Sequence, residues 1–224
     1  ENEAMVGSAI RKSGIPRDEI FVTTKLMLSR PSYERANENV KGSLRRMGLA
    51  YLDQMLIHWP MGSDSEIWRA FEDLQAEGLL RTIGLSNFYP ETFNELVSKA
   101  RVIPSVNQIE THVFYQQKPM RPLMDKHGTV IVAWGPLAEG LNGIFTNPIL
   151  REIGAGYGKT IAQVALRFLT QQGIIVIPKS VRRERMEENL ACLDFNLSVS
   201  DMETIRALDL GHPMDGWPAD ALKY

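Results

Sequence analysis

The sequence is poor in the features that mark secreted, membrane-spanning and nucleic-acid-binding proteins. Its one cysteine, Cys192, excludes an internal disulfide framework and fits a reducing compartment, so we expect a cytoplasmic protein. No apolar run approaches the roughly 18 residues that a bilayer-spanning helix needs, which argues against a membrane partner. The net charge of −2, without a basic patch, argues against nucleic acid as the main partner.

Three common ligand-binding signatures are also absent. The histidines have no cysteine or carboxylate at metal-ligand spacing, so no metal site is predicted. No Gly-rich dinucleotide fingerprint follows the first predicted strand. The glycines of residues 154–160 follow a helix instead of a strand and lack the first glycine of a phosphate loop. These absences leave the site to be found from the pattern of strands and helices.

The chain does contain a regular alternation of short apolar segments and amphipathic helices. In a chain of 224 residues, 44% of them hydrophobic, this pattern predicts one α/β domain with a parallel sheet. The predicted strands cover residues 21–26, 51–59, 82–87, 106–110, 130–134 and 174–177. The predicted helices cover residues 32–47, 66–77, 90–100, 118–127, 148–154, 161–172 and 183–191, and a last one that opens at Ser200 with a capping-box pattern before a terminal loop.

Polar or charged residues lie in or at the end of most predicted strands. This feature favours a (β/α)₈ TIM barrel, with its site at the strand ends, over an open doubly wound sheet. Six strands do not close a barrel that needs eight. We therefore expect the first two β/α units to precede residue 1, and residues 1–224 to form a single barrel domain that is truncated at its amino terminus.

Two candidate catalytic residues lie in early strands. His58 follows a short apolar run, at the place where barrels carry their chemistry, although core packing also explains a lone buried histidine. Lys25 lies within an apolar strand. An ammonium group there either extends to the surface or has a functional role with a lowered pKa.

Candidate ligand-binding residues follow later strands. The side chains of Ser86, Asn87 and Gln108 suit a carboxamide, although strand-end capping explains each of them alone. Trp134 precedes a Gly-rich loop, where an indole can stack on a planar ring and backbone amides can reach a phosphate, or where it simply packs the core. Residues 179–185 form the most basic segment and suit an anion. A solvated charged face is the alternative.

These motifs together resemble one family, the aldo-keto reductases. They are Thr24-Lys25-Leu26, Leu52-Asp53 with Ile57-His58-Trp59-Pro60, Gly84-Leu85-Ser86-Asn87-Phe88, Asn107-Gln108-Ile109-Glu110, Trp134-Gly135-Pro136-Leu137, and Ile177-Pro178-Lys179-Ser180 followed by Arg185, Glu188 and Asn189. Each is weak alone, but all of them occur in the family's order and spacing over about residues 1–210. The Trp134-Gly-Pro form and residues 180–189 are most similar to the bacterial branch that contains 2,5-diketo-D-gluconate reductases.

The resemblance implies an NADPH-dependent barrel enzyme that reduces aldehyde or ketone groups of small substrates, sugar derivatives included. It implies that Lys25 lowers the pKa of a catalytic tyrosine and that His58 orients the substrate carbonyl. It implies that NADPH or NADP⁺ binds Ser86, Asn87, Gln108, Trp134, Gly135, Leu137, Lys179, Ser180, Val181, Arg182, Arg185, Glu188 and Asn189. Trp59 is a candidate for the substrate pocket, and the terminal loop with Trp217 either lines that pocket or forms a surface strap. A monomer or weak oligomer is expected.

The chain departs from the family pattern at its start. The resemblance implies a catalytic tyrosine just before Asn2-Glu3 and a lysine-pairing aspartate earlier still, and neither is in this sequence. None of the 6 tyrosines fits that position. We therefore expect an enzyme whose first ~50 residues precede residue 1, as an eight-unit barrel requires. A catalytically impaired dinucleotide-binding or regulatory protein on the same barrel is the alternative.

Overall fold

The computed structural model describes residues 2–214. They divide into two compact units, the first ending at Asn107 and the second beginning at Gln108. The division falls within one strand, β4 (Val106–Glu110), which therefore contributes residues to both units. Trp217 and most of the predicted terminal loop lie outside the described residues.

The first unit alternates helices with parallel strands. Its elements are α1 (Glu3–Lys12), β1 (Thr23–Leu26), α2 (Tyr33–Met47), β2 (Leu52–Ile57), α3 (Asp64–Ala76), β3 (Leu80–Ser86) and α4 (Pro90–Val97), followed by the start of β4. The strand order is β1-β2-β3-β4, and the pairs β1–β2 and β2–β3 are parallel. Strand β2 is buried along its whole length, as the apolar run of residues 55–57 predicts, and its burial includes the polar residues Asp53 and Gln54.

Helix α2 shows how local sequence sets the element bounds in this unit. The Ser32 side chain accepts a hydrogen bond from the Arg35 N–H at the start of the helix, and Gly48 ends it at a φ of 66°. Helix α1 lies so close to α2 that a Cβ atom on Gly7 would overlap the carbonyl of Met47. Only glycine fits at that contact.

The second unit has the same alternation. Its elements are the end of β4, α5 (Met120–His127), β5 (Val130–Trp134), α6 (Pro148–Tyr157), α7 (Ile161–Thr170), β6 (Ile175–Val176), α8 (Arg183–Leu190) and α9 (Val199–Arg206). The strand order is β4-β5-β6, and β6 pairs parallel with β5. Helix α7 opens with a reciprocal cap, in which Thr160 and Gln163 each accept a hydrogen bond from the other's backbone N–H.

The predicted α/β fold, with six strands that alternate with helices, is confirmed, and the predicted elements differ from the observed ones mainly at their ends. The capping box predicted at Ser200 is wrong, because Ser198 caps α9 and accepts a hydrogen bond from the Asp201 N–H at 3.1 Å. Tyr157 explains the choice. The Tyr157 hydroxyl accepts a hydrogen bond from the Ser198 N–H and donates one to the Asp201 carboxylate. The sequence has two overlapping Ser-x-x-acid patterns, and these bonds stabilise the one that begins at Ser198.

Neither a membrane span nor a metal cluster is found in the part of the chain that the structure describes. Among residues 2–214 no helix is both long and apolar enough to cross a bilayer. In the same range no three histidine, cysteine, aspartate or glutamate side chains are grouped as a metal ion would need.

Candidate active site and dinucleotide cleft

Lys25 and His58 lie on the same face of the first unit's sheet. Lys25 pairs in register with Leu56, and His58 lies two residues beyond Leu56 along the chain. Because side chains alternate between faces, both point to one side. The backbone N–H of His58 donates to the Leu26 carbonyl at 2.9 Å, which continues the ladder past the end of β2. The parallel register thus places an ammonium beside an imidazole.

The environment of the two side chains shifts their proton affinities. Lys25 is half-buried and has no ion pair with any described residue, and burial lowers the pKa of its ammonium group. Burial also lowers the pKa of His58, and the charge of Lys25 lowers it further. At neutral pH this arrangement favours a neutral imidazole, which can donate a hydrogen bond to a carbonyl oxygen. The half-buried indole of Trp59 lies beside it, with ring centroids 6.5 Å apart.

We expect the pKa of His58 to rise when Lys25 is replaced by methionine, because one of its two depressing influences is removed. It should stay below the ordinary value of an imidazole, since burial is the larger cause and remains. An NMR titration of the imidazole protons measures this shift. Lys41→Met is the matched control, because Lys41 forms a surface pair with Glu77. An unchanged pKa of His58 in Lys25→Met would show that the two groups do not interact.

Ser86 and Asn87 support the backbone at His58. Asn87 adopts a left-handed conformation with a φ of 62°, and its Nδ2 atom donates to the His58 carbonyl and the Ser86 hydroxyl, both at 3.1 Å. Ser86 and Asn87 are both buried. Within the first unit the Asn87 amide therefore holds the strand end that carries His58, a role that the sequence did not indicate.

In the second unit, Gln108 presents an acceptor that needs a partner. Its side chain is 4% exposed, and Oε1 has no hydrogen-bond partner among the described residues. An unpaired buried carbonyl oxygen costs free energy comparable to a lost hydrogen bond, about 1–3 kcal/mol. A ligand N–H, such as that of a carboxamide, would satisfy it.

A cleft of about 570 Å³ lies beside the loop that follows β5. Its lining includes six predicted residues: Leu137, Lys179, Ser180, Arg185, Glu188 and Asn189. It also includes residues that the sequence analysis missed, among them Glu139, Phe145, Thr160 and Ile161. Only the Gly-rich composition of residues 135–140 hinted at Glu139, and nothing in the sequence hinted at the other three.

Helix α8 is positioned by polar contacts at the edge of this cleft, because none of its residues is buried. The Thr160 hydroxyl donates to the Glu188 carboxylate at 2.6 Å, and the Gln163 amide donates to the Glu188 carbonyl at 3.0 Å. The cleft is also lined by two cations, Lys179 and Arg185, and neither of them has an ion pair among the described residues. The carboxylates that line it, Glu139 and Glu188, therefore leave both cations available to an anion. A phosphate suits such a place.

Five predicted cofactor residues of the second unit do not line this cleft: Gln108, Trp134, Gly135, Val181 and Arg182. Trp134 is half-buried at the end of β5, and Gly135 is buried at a φ of 60°. The Val181 side chain is 82% exposed. The Arg182 backbone N–H donates to the Ser180 hydroxyl and so braces the start of α8.

Comparison with known proteins gives one consistent family. The model of the aldo/keto reductase family matches residues 1–210. A 9,11-endoperoxide prostaglandin H2 reductase of Trypanosoma cruzi is 40% identical over 219 residues, which are 97% of this chain and 77% of that protein.

Solved structures agree in fold. A putative 2,5-diketo-D-gluconic acid reductase B superimposes with a TM-score of 0.91 at 34% identity, covering 97% of this chain and 78% of that one. An aldo-keto reductase of Bombyx mori in complex with NADP gives a TM-score of 0.88 at 29% identity, covering 100% and 80%. The barrel fold class expected from the strand pattern is thereby confirmed.

Proposed function

Because this chain belongs to the aldo/keto reductase family, we propose that it reduces aldehyde or ketone groups of small substrates with NADPH. The observation that carries the proposal is the cleft of the second unit. There, a Gly-rich loop and the cations Lys179 and Arg185 line one space without a carboxylate paired to either cation among the described residues. Such a space suits an anionic dinucleotide.

The residues present fit NADPH at two chemically different places. The buried Gln108 Oε1 accepts the carboxamide N–H of the nicotinamide, which gives an otherwise unpaired acceptor its partner. Lys179, Ser180 and Arg185 bind the 2′-phosphate, and Glu188 and Asn189 contact the adenosine. Trp134 stacks on the nicotinamide ring. When bound, NADPH supplies the hydride, and the protein supplies orientation and electrostatics.

The first unit supplies the groups that act on the substrate carbonyl. The His58 imidazole, kept neutral by burial and by Lys25, donates a hydrogen bond to the carbonyl oxygen. The half-buried Lys25 ammonium stabilises the negative charge that develops on that oxygen. Trp59, beside His58, bounds the substrate. The family's proton-donating tyrosine has no counterpart in residues 1–224.

The substrate class is a small carbonyl compound, and the 2,5-diketo-D-gluconic acid reductase among the structural neighbours favours sugar-derived substrates within it. The single cysteine agrees with a reducing compartment, the cytoplasm. The family resemblance, and not the cysteine, is the basis for proposing a monomer or weak oligomer. The purified protein is tested by following NADPH oxidation with a panel of aldehydes and keto sugars. NADPH binding without oxidation of any panel member would favour the dinucleotide-binding alternative instead.

Arg185→Ala should weaken NADPH binding by about tenfold or more, because a charge-assisted hydrogen bond to a phosphate is lost. NADH lacks the 2′-phosphate, so its affinity should change little. Titration calorimetry with both nucleotides measures the difference. Arg183→Ala is the matched control, since Arg183 pairs with Glu187 on the exposed side of α8 and does not line the cleft. Equal NADPH affinity in Arg185→Ala and the parent protein would remove Arg185 from the site.

A further inference from the structure

The loop after β5 has an unusual backbone. Leu137 has a φ of −110° and a ψ of 30°, and the next two residues, Ala138 and Glu139, are both left-handed with a φ of 47°. Non-glycine residues adopt that region rarely, and such outliers cluster at functional sites. Glu139 also lines the cleft that contains Lys179 and Arg185.

The hydrogen bonds of this loop leave some backbone donors unused. The N–H groups of Ala138, Gly140 and Leu141 donate to carbonyls within the loop at 2.7–2.9 Å. The N–H groups of Leu137 and Glu139 have no acceptor in the described part of the chain. A right-handed residue followed by a left-handed one turns alternate N–H groups to the same side, which makes a concavity for an anion.

The side chain of Glu139 opposes that use. It is exposed, and its carboxylate has neither a hydrogen bond nor an ion pair with any described residue. It folds back on the loop, where its Oε1 atom lies 3.5 Å from the position that a Cβ atom on Gly135 would occupy. A negative charge is thus attached to one of the two residues whose N–H groups are free to bind an anion.

We propose that Glu139 is an affinity-setting residue that weakens binding of the dinucleotide's diphosphate by like-charge repulsion. This inference rests on the proposed function, since it requires that the cleft bind a dinucleotide. The diphosphate is common to NADP⁺ and NAD⁺, so Glu139 weakens both to the same extent. Arg185, in contrast, distinguishes them through the 2′-phosphate.

Glu139→Gln tests this inference because it keeps the size of the side chain and removes only the charge. The variant should bind NADP⁺ and NAD⁺ about threefold to tenfold more tightly than the parent protein, a modest gain because Glu139 is exposed and water screens its charge. The gain should shrink as ionic strength rises. Equilibrium titration of each nucleotide at low and high salt measures both effects.

Glu184→Gln is the matched control, because Glu184 is exposed on α8 and does not line the cleft. Its nucleotide affinities should equal those of the parent protein. If Glu139→Gln binds as the parent does, or more weakly, the inference is overturned while the proposed function stands. If the parent protein binds neither nucleotide at either salt concentration, the proposed function itself fails.

Discussion

Lys25→Met should lower kcat for carbonyl reduction by roughly a hundredfold or more, while the affinity for NADPH stays nearly unchanged. The reason is geometric. The Lys25 ammonium is half-buried, faces His58, and has no carboxylate neutralising it among the described residues. Its charge is therefore available to stabilise the developing oxyanion, and removing one such group typically costs about 10²–10³-fold in kcat.

Steady-state kinetics of the purified protein with NADPH and its best carbonyl substrate check this expectation. Lys41→Met should retain full activity, because Lys41 is half-exposed and pairs with Glu77 on the surface. Lys25→Arg should recover only part of the rate, since a guanidinium is larger and differently shaped than an ammonium. A Lys25→Met protein that folds, binds NADPH and turns over like the parent would remove Lys25 from the chemistry.

Asp53→Asn should cost about 3 kcal/mol of unfolding free energy, the largest stability loss expected from one conservative change here. The Asp53 side chain is 3% exposed. It forms an ion pair with Arg17 at 2.7 Å and accepts hydrogen bonds from Arg81 at 3.1 Å and from the Val22 N–H at 2.9 Å. The two guanidinium groups also lie over the Tyr51 ring at 4.1 and 3.9 Å from its centroid. Removing the carboxylate charge leaves these cations close together without their counter-ion.

Urea denaturation followed by circular dichroism measures the loss. Glu77→Gln is the control, because it breaks the exposed Lys41–Glu77 pair and should change stability by less than about 1 kcal/mol. If Asp53→Asn lost no more stability than Glu77→Gln, the buried ion pair would be dispensable. The Leu52-Asp53 motif would then need another explanation.

Local sequence determined the strands and helices, and with them the strand ends that carry the candidate site residues. The apolar runs of β2 and β5 predicted strands within a residue or two, because a buried parallel strand has to be apolar on both faces. His58 and Trp134 were identifiable as candidate site residues because each of them lies where such an apolar run ends. The bounds of α2 agree with the helix predicted over residues 32–47, because its caps Ser32 and Gly48 act locally.

The roles that depend on residues far apart in sequence were decided only by the tertiary structure. Nothing near Glu188 in sequence indicates that Thr160 holds its carboxylate, and nothing near Asp53 indicates that Arg17 and Arg81 share it. The left-handed turn that places Glu139 in the cleft depends on the packing of a whole loop. Sequence fixes which groups are present and which elements carry them, but charges act over distances in space, and those distances exist only in the fold.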